Sequence, residues 1–288
     1  MIKYFLTALI FSFSISNSNS QSQTQAFKIF DKEGAEVSFE SLAETAGEHE
    51  LIFFGELHNN SIAHWLQLRL LKELHRQKRS LILSGEFFER DDQLNIEEWF
   101  SGNLTDKNFE AEAKLWKNYL TDYKPMMLYA KNNSIPFFAS NIPRKYASLV
   151  SRHGLAALDS LSEEAKKYIA PLPIEVDKTL PGYVGMKDMM HGSGMNVDFM
   201  VEAQAVKDAT MAYSLYGHLK GNTVLHINGS YHSNNFEGIV WYVRKDYPDT
   251  RILTINTVEQ EDLQELEEKS KNTADFIIAI PLDGPKSY

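Results

Sequence analysis

Acidic, amide and imidazole side chains recur directly after the short apolar runs of this chain. Glu56 and His58 follow the first run, Glu86 the second, Asn141 the third and His232 the fourth. If the runs are parallel strands, their carboxyl ends share one edge of a sheet, where open α/β sheets bind ligands. The spacing therefore predicts one polar site built by four strands.

The two carboxylates and two histidines of this set support more than one kind of chemistry. If Glu56 and Glu86 lie close together, their charges oppose each other and one pKa rises, which suits general acid–base catalysis. With His58 and His232, they would instead hold a divalent metal ion and leave a position open for water. A buried salt-bridge network that ties the loops together explains the same residues without any reaction.

Two arginines near the same strand ends are candidates for binding an anion. Arg90 lies four residues after Glu86, and Arg144 lies three residues after Asn141. A guanidinium group can hold a carboxylate or a propionate in a bidentate manner. For Arg90, an ion pair that only stabilises the fold explains the residue equally well.

A methionine-rich segment carries side chains of three types that ligate haem iron. Methionine side chains are flexible and suit adaptable apolar surfaces, and Tyr, His and Met are all known as axial ligands of haem. The segment would therefore close over a flat apolar ligand such as haem, or it would simply fill the core. Its residues of interest are Tyr183, Met186, Met189, Met190, His191, Met195 and Met200.

Apolar runs alternate with helical patterns along the chain. The predicted strands are residues 50–54, 80–84, 136–139, 223–227, 251–255 and 275–280. The predicted helices are residues 61–78, 91–100, 109–119, 125–132, 198–219 and 237–247, with two more beginning near 144 and 162. The alternation predicts an α/β fold with a largely parallel sheet flanked by helices and an inserted helical cap or lid. Residues 171–195 are predicted to form a long loop or a lid.

The N-terminus and the composition bear on location and partners. Lys3 and the apolar stretch 4–15 predict a signal peptide over residues 1–20, although a buried N-terminal helix is the alternative. The protein is therefore expected in the periplasm or secreted. It has no cysteine, which excludes disulfides and thiolate chemistry and predicts that no lipid anchor is attached. The net charge of −10 argues against a nucleic-acid partner.

Five ordered motifs resemble those of the ChaN-like haem-binding uptake family, whose superfamily includes the Tiki proteins and erythromycin esterases. Order and spacing hold from about residue 50 to residue 255. In chain order the motifs are Phe54-Gly55-Glu56-Leu57-His58-Asn59-Asn60, Gly85-Glu86-Phe87-Phe88-Glu89-Arg90-Asp91-Asp92-Gln93, Asn141-Ile142-Pro143, Ala203-Gln204 with Lys207-Asp208-Ala209-Thr210-Met211-Ala212, and Gly229-Ser230-Tyr231-His232.

The resemblance implies an exported protein that binds haem under a mobile helical region and serves haem or iron uptake. It implies an iron or haem transport system as a partner, and an exposed haem face would favour a homodimer. Residues 21–48 are assigned to a leader and N-terminal segment, and residues 49–288 to one ChaN-like α/β domain. A tyrosinate ligand would suit ferric haem, and the candidate haem-binding residues are Tyr183, Tyr231, Arg90, Met190 and His191. Hydrolases of the wider superfamily use positions that correspond here to Glu56, His58, Glu86 and His232.

Overall fold

The computed structural model describes residues 25–77, 80–190, 194 and 196–288. The predicted signal peptide and the predicted haem residue His191 lie outside these residues. Within them, no helix combines the length and the apolar character that crossing a membrane requires.

The described chain alternates between strands and helices. The strands are β1 (Lys28–Asp31), β2 (Glu36–Val37), β3 (Leu51–Glu56), β4 (Leu81–Glu89), β5 (Phe137–Asn141), β6 (Thr223–Gly229), β7 (Ile252–Gln260) and β8 (Phe276–Pro281). The α-helices are α1 (Phe39–Gly47), α2 (Ser61–Arg76), α3 (Gln93–Phe100), α4 (Asp106–Glu112), α5 (Lys124–Asn132), α6 (Arg144–His153), α7 (Glu163–Lys166), α8 (Pro181–Met190), α9 (Val197–Tyr216) and α10 (Ile239–Asp246).

All of these strands form one sheet in the order β2-β1-β8-β7-β3-β6-β4-β5. Neighbours from β8 to β5 pair in parallel, whereas β1 pairs antiparallel with both β2 and β8. This arrangement confirms the predicted α/β fold with a largely parallel sheet. The sequence pattern predicted no elements over residues 28–47, which supply β1, β2 and α1.

The central strands are buried because helices cover both faces of the sheet. Successive side chains of a strand point to opposite faces. In β3, Phe54 belongs to the core that contains Leu70 of α2, and Phe53 belongs to the core that contains Ile239 of α10. Every residue of β3 and β6 is buried, as expected for a parallel sheet packed on both sides.

Several segments differ from the sequence-based expectation. Residues 171–195, predicted as a loop, contain α8, which packs on α9. The helix predicted over 109–119 was wrong in extent, since α4 ends at Glu112 and the backbone N–H of Lys114 instead donates to Asp92. Strand β4 continues past Ser84 to Glu89, with a register shift between Gly85 and Glu89.

Candidate functional site

The carboxyl ends of β3, β4 and β6 bring the predicted polar residues to one place. Glu56 ends β3 and stands in register with Gly229, the last residue of β6. On the other side of β6, the irregularity in β4 begins after Gly85 and so sets the position of Glu86. The backbone N–H of Gly229 donates to Glu86 Oε2 at 2.8 Å. The polar residues that follow separate strands therefore form one connected cluster.

One half of the cluster is a buried imidazole between two carboxylates. His232 Nδ1 lies 2.5 Å from Asp208 Oδ1, and His232 Nε2 lies 3.3 Å from Glu86 Oε1. Burial alone would lower the pKa of His232, but the charges of Glu86 and Asp208 raise it to about 10. Burial would likewise raise the pKa of Glu86, yet the His232 charge holds it well below its usual range. At neutral pH this half is a fixed imidazolium–carboxylate array.

The second half of the cluster joins His58 to a buried glutamate. His58 Nδ1 lies 3.0 Å from Glu56 Oε1, which also accepts a hydrogen bond of 2.5 Å from the Tyr123 hydroxyl. Gln67 Nε2 donates to the other carboxylate oxygen at 2.5 Å. Burial opposes ionisation of Glu56, but the charge of His64 and the His58 hydrogen bond lower its pKa below the ordinary value. Glu56 is thus a fixed anion behind the His58 ring.

The two histidines of the cluster differ in accessibility. His58 leaves 40% of its side chain exposed, whereas His232 leaves only 7%. Burial lowers the pKa of His58, but the Glu56 hydrogen bond and the nearby Glu86 charge outweigh it and raise the pKa. His58 is therefore the imidazole that can meet a ligand, and His232 is the imidazole that organises the carboxylates.

The loop that carries His58 is braced from behind by distant parts of the chain. Asn118 Nδ2 donates to the His58 carbonyl oxygen at 2.8 Å and to Asp122 Oδ2 at 2.7 Å. Near the end of the chain, the Ser287 hydroxyl donates to the same Asp122 oxygen at 2.5 Å. The Ser287 backbone N–H donates to the carbonyl oxygen of Asn59, the residue after His58, at 2.8 Å. These contacts fix the position of the loop.

An open cleft of about 670 Å³ lies against this cluster. Its residues are His58, Glu86, Glu89, Lys114, Leu115, Trp116, Asn141, Ile142, Arg144, Lys145, Ala147 and Lys207. Lys114 pairs with Glu89 at 2.9 Å and also contacts Asp91. Arg144 and Lys207 form no ion pair within the described residues, so their charges are available to an anion. The cleft thus combines apolar walls, an imidazole and two unpaired cations.

The four residues predicted as catalytic lie together in the cluster. The predicted haem-binding residues that the structure describes do not line this cleft. Tyr183 is buried and its hydroxyl donates to Asp208 Oδ2 at 2.8 Å. The Tyr231 hydroxyl donates to the carbonyl oxygen of Gly182 at 2.5 Å. Arg90 lies 5.5 Å from the ring of Tyr213. Met190 ends α8 and is absent from the cleft wall.

Several residues of the site were not predicted from the sequence. Trp116 and Leu115 lie in a segment that was predicted to be helical, and neither belongs to a recognisable motif. Tyr123 hydrogen-bonds Glu56 from a π-helical turn, Tyr119–Tyr123, which no hydrophobic period predicts. Lys207 had a usable signal, because it stands within the fourth motif beside Asp208.

The alternative of a divalent metal is not supported by the donor geometry. Across residues 25–77, 80–190, 194 and 196–288, no three or more His, Asp or Glu side chains are grouped so that they could hold a metal ion. The potential ligands are instead paired with one another, as the contacts of Glu56 and His232 illustrate.

The fold and the cluster define an α/β protein with a ligand cleft at the carboxyl edge of its sheet. A sequence model described as haem-binding uptake, Tiki superfamily, ChaN matches residues 42–243, which is more than half of the chain. The chain therefore belongs to the ChaN family of haem-binding uptake proteins, and the predicted family is confirmed. A comparison with curated proteins gave no match.

Solved structures support the same fold. ChaN of Campylobacter jejuni, described for cofacial haem binding, is 19% identical with a TM-score of 0.67, over 88% of this chain and 97% of that chain. A succinoglycan biosynthesis protein is 11% identical with a TM-score of 0.54, over 86% and 91% of the two chains. A Bacillus cereus protein is 10% identical with a TM-score of 0.53, over 87% and 93%. At these identities the likeness concerns the fold alone.

Proposed function

We propose that this protein binds haem in the cleft beside His58 and serves haem or iron uptake. The proposal is supported by membership of the haem-binding uptake family and by the cofacial haem binding described for Campylobacter jejuni ChaN. The observation that carries it is the composition of the cleft. A tryptophan wall and two unpaired cations occur together in a space of about 670 Å³, within the size range of small-molecule and cofactor sites.

The cleft offers the two kinds of contact that haem requires. A porphyrin presents a large apolar surface, which Leu115, Trp116 and Ile142 would cover. Its two propionates are anionic, and Arg144 and Lys207 supply unpaired positive charge at the same site. A cleft with this charge pattern would favour an anionic ligand over a cationic one of similar shape.

A haemin titration followed in the Soret region tests the proposal directly. We expect a saturable change at a defined stoichiometry. Trp116→Ala should weaken haemin binding because it removes an apolar wall, whereas Trp241→Ala is a matched control on α10, outside the cleft lining. A gradual change without saturation, or equal effects of both variants, would argue against binding in this cleft.

A lid formed by α8 is part of the same proposal. Its first turn is tethered through Tyr183 to Asp208 and by the Gly182 backbone N–H, which donates to Glu237 at 2.7 Å. Met189, near its other end, is 77% exposed. Beyond the first turn, Met186 packs in the same cluster as Tyr183, and Lys187 forms an ion pair with Asp198 of α9 at 3.1 Å. Movement of the helix over a ligand would break that ion pair. Hydrogen exchange should therefore slow at residues 184–190 when haemin binds, and unchanged exchange there would contradict a lid.

A second candidate function is hydrolysis of an ester or amide, favoured by the pairing of His58 with the buried Glu56. With Nδ1 held by Glu56, His58 Nε2 can take a proton from water as the water oxygen attacks the substrate carbonyl. Proton transfer to the leaving group then accompanies cleavage of the carbonyl–heteroatom bond. Glu86, held ionised by His232, would orient the water or stabilise the positive charge on His58.

An assay with a panel of carboxylic esters and amides, with and without EDTA, tests this candidate. Hydrolysis should rise with pH as His58 loses its proton, and Glu86→Gln should reduce it without reducing haemin affinity. Loss of activity in EDTA would revive the metal-dependent mechanism. If purified protein cleaves none of the panel, or if His58→Gln cleaves as well as the wild type, this candidate fails.

We also propose that the protein is exported to the periplasm or the medium. There it would act as a carrier without a lipid anchor. They rest on the apolar stretch 4–15 after Lys3 and on the absence of cysteine. Fractionation of bacterial cells that produce the full chain, with N-terminal sequencing of the product, should find mature protein that begins near residue 21. A haem or iron transport system and a second copy of this chain are the partners we propose, and cross-linking with haemin present would test both.

A further inference from the structure

A second hollow lies apart from the cleft beside His58. It has a volume of about 430 Å³ and opens between α9, the end of α10 and the segment that joins α7 to α8. It shares no lining residue with the cleft. Four of the side chains in its wall are tyrosines, and we call it the tyrosine groove. They are Tyr213 and Tyr216 of α9, Tyr242 of α10, and Tyr247.

Three of these rings form a row along the groove. The centroid of the Tyr216 ring lies 4.5 Å from that of Tyr247 and 6.1 Å from that of Tyr213, which meets it edge-on. The two outer rings are therefore separated by no more than the sum of these distances. Tyr213 and Tyr247 leave 40% and 43% of their surface exposed. The Arg90 guanidinium lies 5.5 Å from the Tyr213 ring but does not line the groove.

The hydroxyl groups of the four tyrosines differ in whether they already have a partner. The Tyr216 hydroxyl donates to Asp246 Oδ2 at 2.7 Å, and the Tyr242 hydroxyl donates to the carbonyl oxygen of Glu175 at 2.7 Å. The hydroxyls of the outer residues, Tyr213 and Tyr247, have no hydrogen-bond partner within the described residues. The row thus offers fixed rings at its centre and two hydrogen-bond donors at its ends.

The charge that the groove can offer to a ligand is negative. Lys245 forms an ion pair with Glu175, so these two opposite charges are already compensated. Asp246 is exposed and forms no ion pair in the part of the chain that the structure describes. A basic group on a ligand would therefore meet an uncompensated carboxylate beside the tyrosine row.

The rest of the wall is mainly apolar, which bears on the class of ligand. Pro171, Pro173 and Ile174 line the groove opposite few polar groups. A sugar carries hydroxyl groups around its ring, and several of them would lose their water partners here without replacement. A proline ring presents apolar surface, and its backbone has no N–H to satisfy. The groove therefore suits proline better than carbohydrate.

A polyproline II helix matches the remaining features of the groove. It has no internal hydrogen bonds, so its carbonyl oxygens are free to accept from the outer tyrosine hydroxyls. One turn rises about 9 Å and is thus long enough to follow the row of three rings. Aromatic-lined grooves are a recurring means of binding such segments, whose preformed shape loses little entropy on binding.

We propose that the tyrosine groove binds a proline-rich segment of a partner protein, with a lysine or arginine of that segment beside Asp246. Proline rings would pack against Tyr213, Tyr216 and Tyr247, and the Tyr213 and Tyr247 hydroxyls would donate to backbone carbonyls of the segment. The inference does not depend on haem binding, because the groove and the cleft are separate.

Calorimetric titration of the purified protein with the synthetic peptide PPKPPPKPP tests the inference. We expect saturable binding of one peptide per chain and much weaker binding of AAKAAAKAA, which has the same charge. Tyr213→Ala and Tyr247→Ala should each weaken binding about tenfold, because each removes an aromatic contact and a donor. Asp246→Asn should weaken it about threefold at low salt. Tyr288→Ala, which removes another exposed tyrosine, is the matched control.

Two conservative variants keep the test valid if an alanine variant does not fold. Tyr213→Phe and Tyr247→Phe retain the rings and remove only the hydroxyls, so together they should weaken peptide binding about fivefold. No saturable binding of the proline peptide, or equal binding of the alanine peptide, overturns the inference. Equal affinities in the wild type and all groove variants also overturn it. Tighter binding of an oligosaccharide such as cellohexaose, lost in Tyr213→Ala, would assign the groove to a sugar instead.

Discussion

Gly229 and His58 lie so close that a Cβ atom on Gly229 would stand 2.7 Å from the imidazole carbon Cε1. The backbone of Gly229, with φ −58° and ψ 139°, is open to any residue. Glycine is therefore required here because the neighbouring ring leaves no space for a Cβ atom, and not because of the backbone conformation. The end of β6 consequently determines where the His58 imidazole can lie, although the two residues are distant in the chain.

Replacement of Gly229 by alanine tests this relationship. Gly229→Ala should displace the His58 ring, weaken its hydrogen bond to Glu56 and lower the free energy of unfolding by about 1–3 kcal/mol, as overpacking typically does. Gly217→Ala, where a new methyl group would meet nothing within 4 Å, is the control. Denaturant unfolding measures the stability, and the Soret spectrum of the haemin complex shows whether the His58 ring has moved relative to the haem. An unchanged spectrum in Gly229→Ala would mean that His58 does not contact the haem.

The imidazolium of His232 predicts a specific dependence of stability on pH. Its pKa is about 10 in the folded protein and near 6.5 in the unfolded chain, so the folded state binds a proton that the unfolded state has lost. The stabilisation is complete below pH 6.5 and is lost as the pH rises toward 10. Between pH 6.5 and pH 10, loss of the His232 proton should raise the equilibrium constant for unfolding by up to about tenfold per pH unit.

Chemical denaturation across this window measures the effect of His232. His232→Gln should be less stable near pH 6.5 and should show a shallower decline toward pH 10. His153→Gln, an exposed control, should follow the wild-type curve. Parallel curves for the wild type and His232→Gln would show that His232 does not carry the proton assigned to it.

The tyrosinate ligand predicted from the sequence is tested by two variants. If Tyr183 or Tyr231 ligates the haem iron, the corresponding phenylalanine variant will lose the wild-type spectrum of the haemin complex. Tyr183→Phe will still lower the free energy of unfolding, by about 1–3 kcal/mol, since buried Asp208 loses a hydrogen-bond donor. An unchanged spectrum in both variants would exclude the tyrosinate predicted from the sequence.

The unpaired cations of the cleft predict a salt-dependent affinity for haemin. Replacing both Arg144 and Lys207 by glutamine should reduce affinity about tenfold at low salt, given about 0.5–1 kcal/mol for each exposed charge interaction. The difference should shrink at high salt because mobile ions screen exposed charges. A double variant with Arg152→Gln and Lys220→Gln changes the net charge equally at positions outside the cleft lining. Equal losses of haemin affinity in both double variants would mean that the affinity depends on the net charge and not on these two positions.

Much of the fold could be predicted because each central strand is a continuous apolar run followed by polar residues. Glu56, Glu86 and His232 were placed correctly at one edge, because parallel strands carry their carboxyl ends to the same side. The N-terminal strand Lys28–Asp31 was not predicted. This strand lies next to the edge strand β2 and pairs antiparallel with β8. Its four residues give too short a pattern to recognise.

The wall of the cleft could not be predicted, because it depends on tertiary contacts. The chain leaves α4 at Glu112, and the ion pairs of Lys114 with Glu89 and Asp91 hold the extended stretch that presents Trp116. No local period encodes such a contact between segments more than twenty residues apart. For the same reason, the enclosure of His232 by carboxylates and the exposure of His58 to solvent could not be predicted.

The last residues of the chain are mechanically joined to the loop that carries His58. Ser287 hydrogen-bonds both Asp122 and the backbone of Asn59, so a force on the chain end is transmitted to the residue next to His58 through a single hydrogen bond. A purification tag, a surface linker or a fused reporter attached after Tyr288 would pull on that junction. Attachment at an exposed site such as Lys220, on the far edge of the sheet, would leave the loop undisturbed.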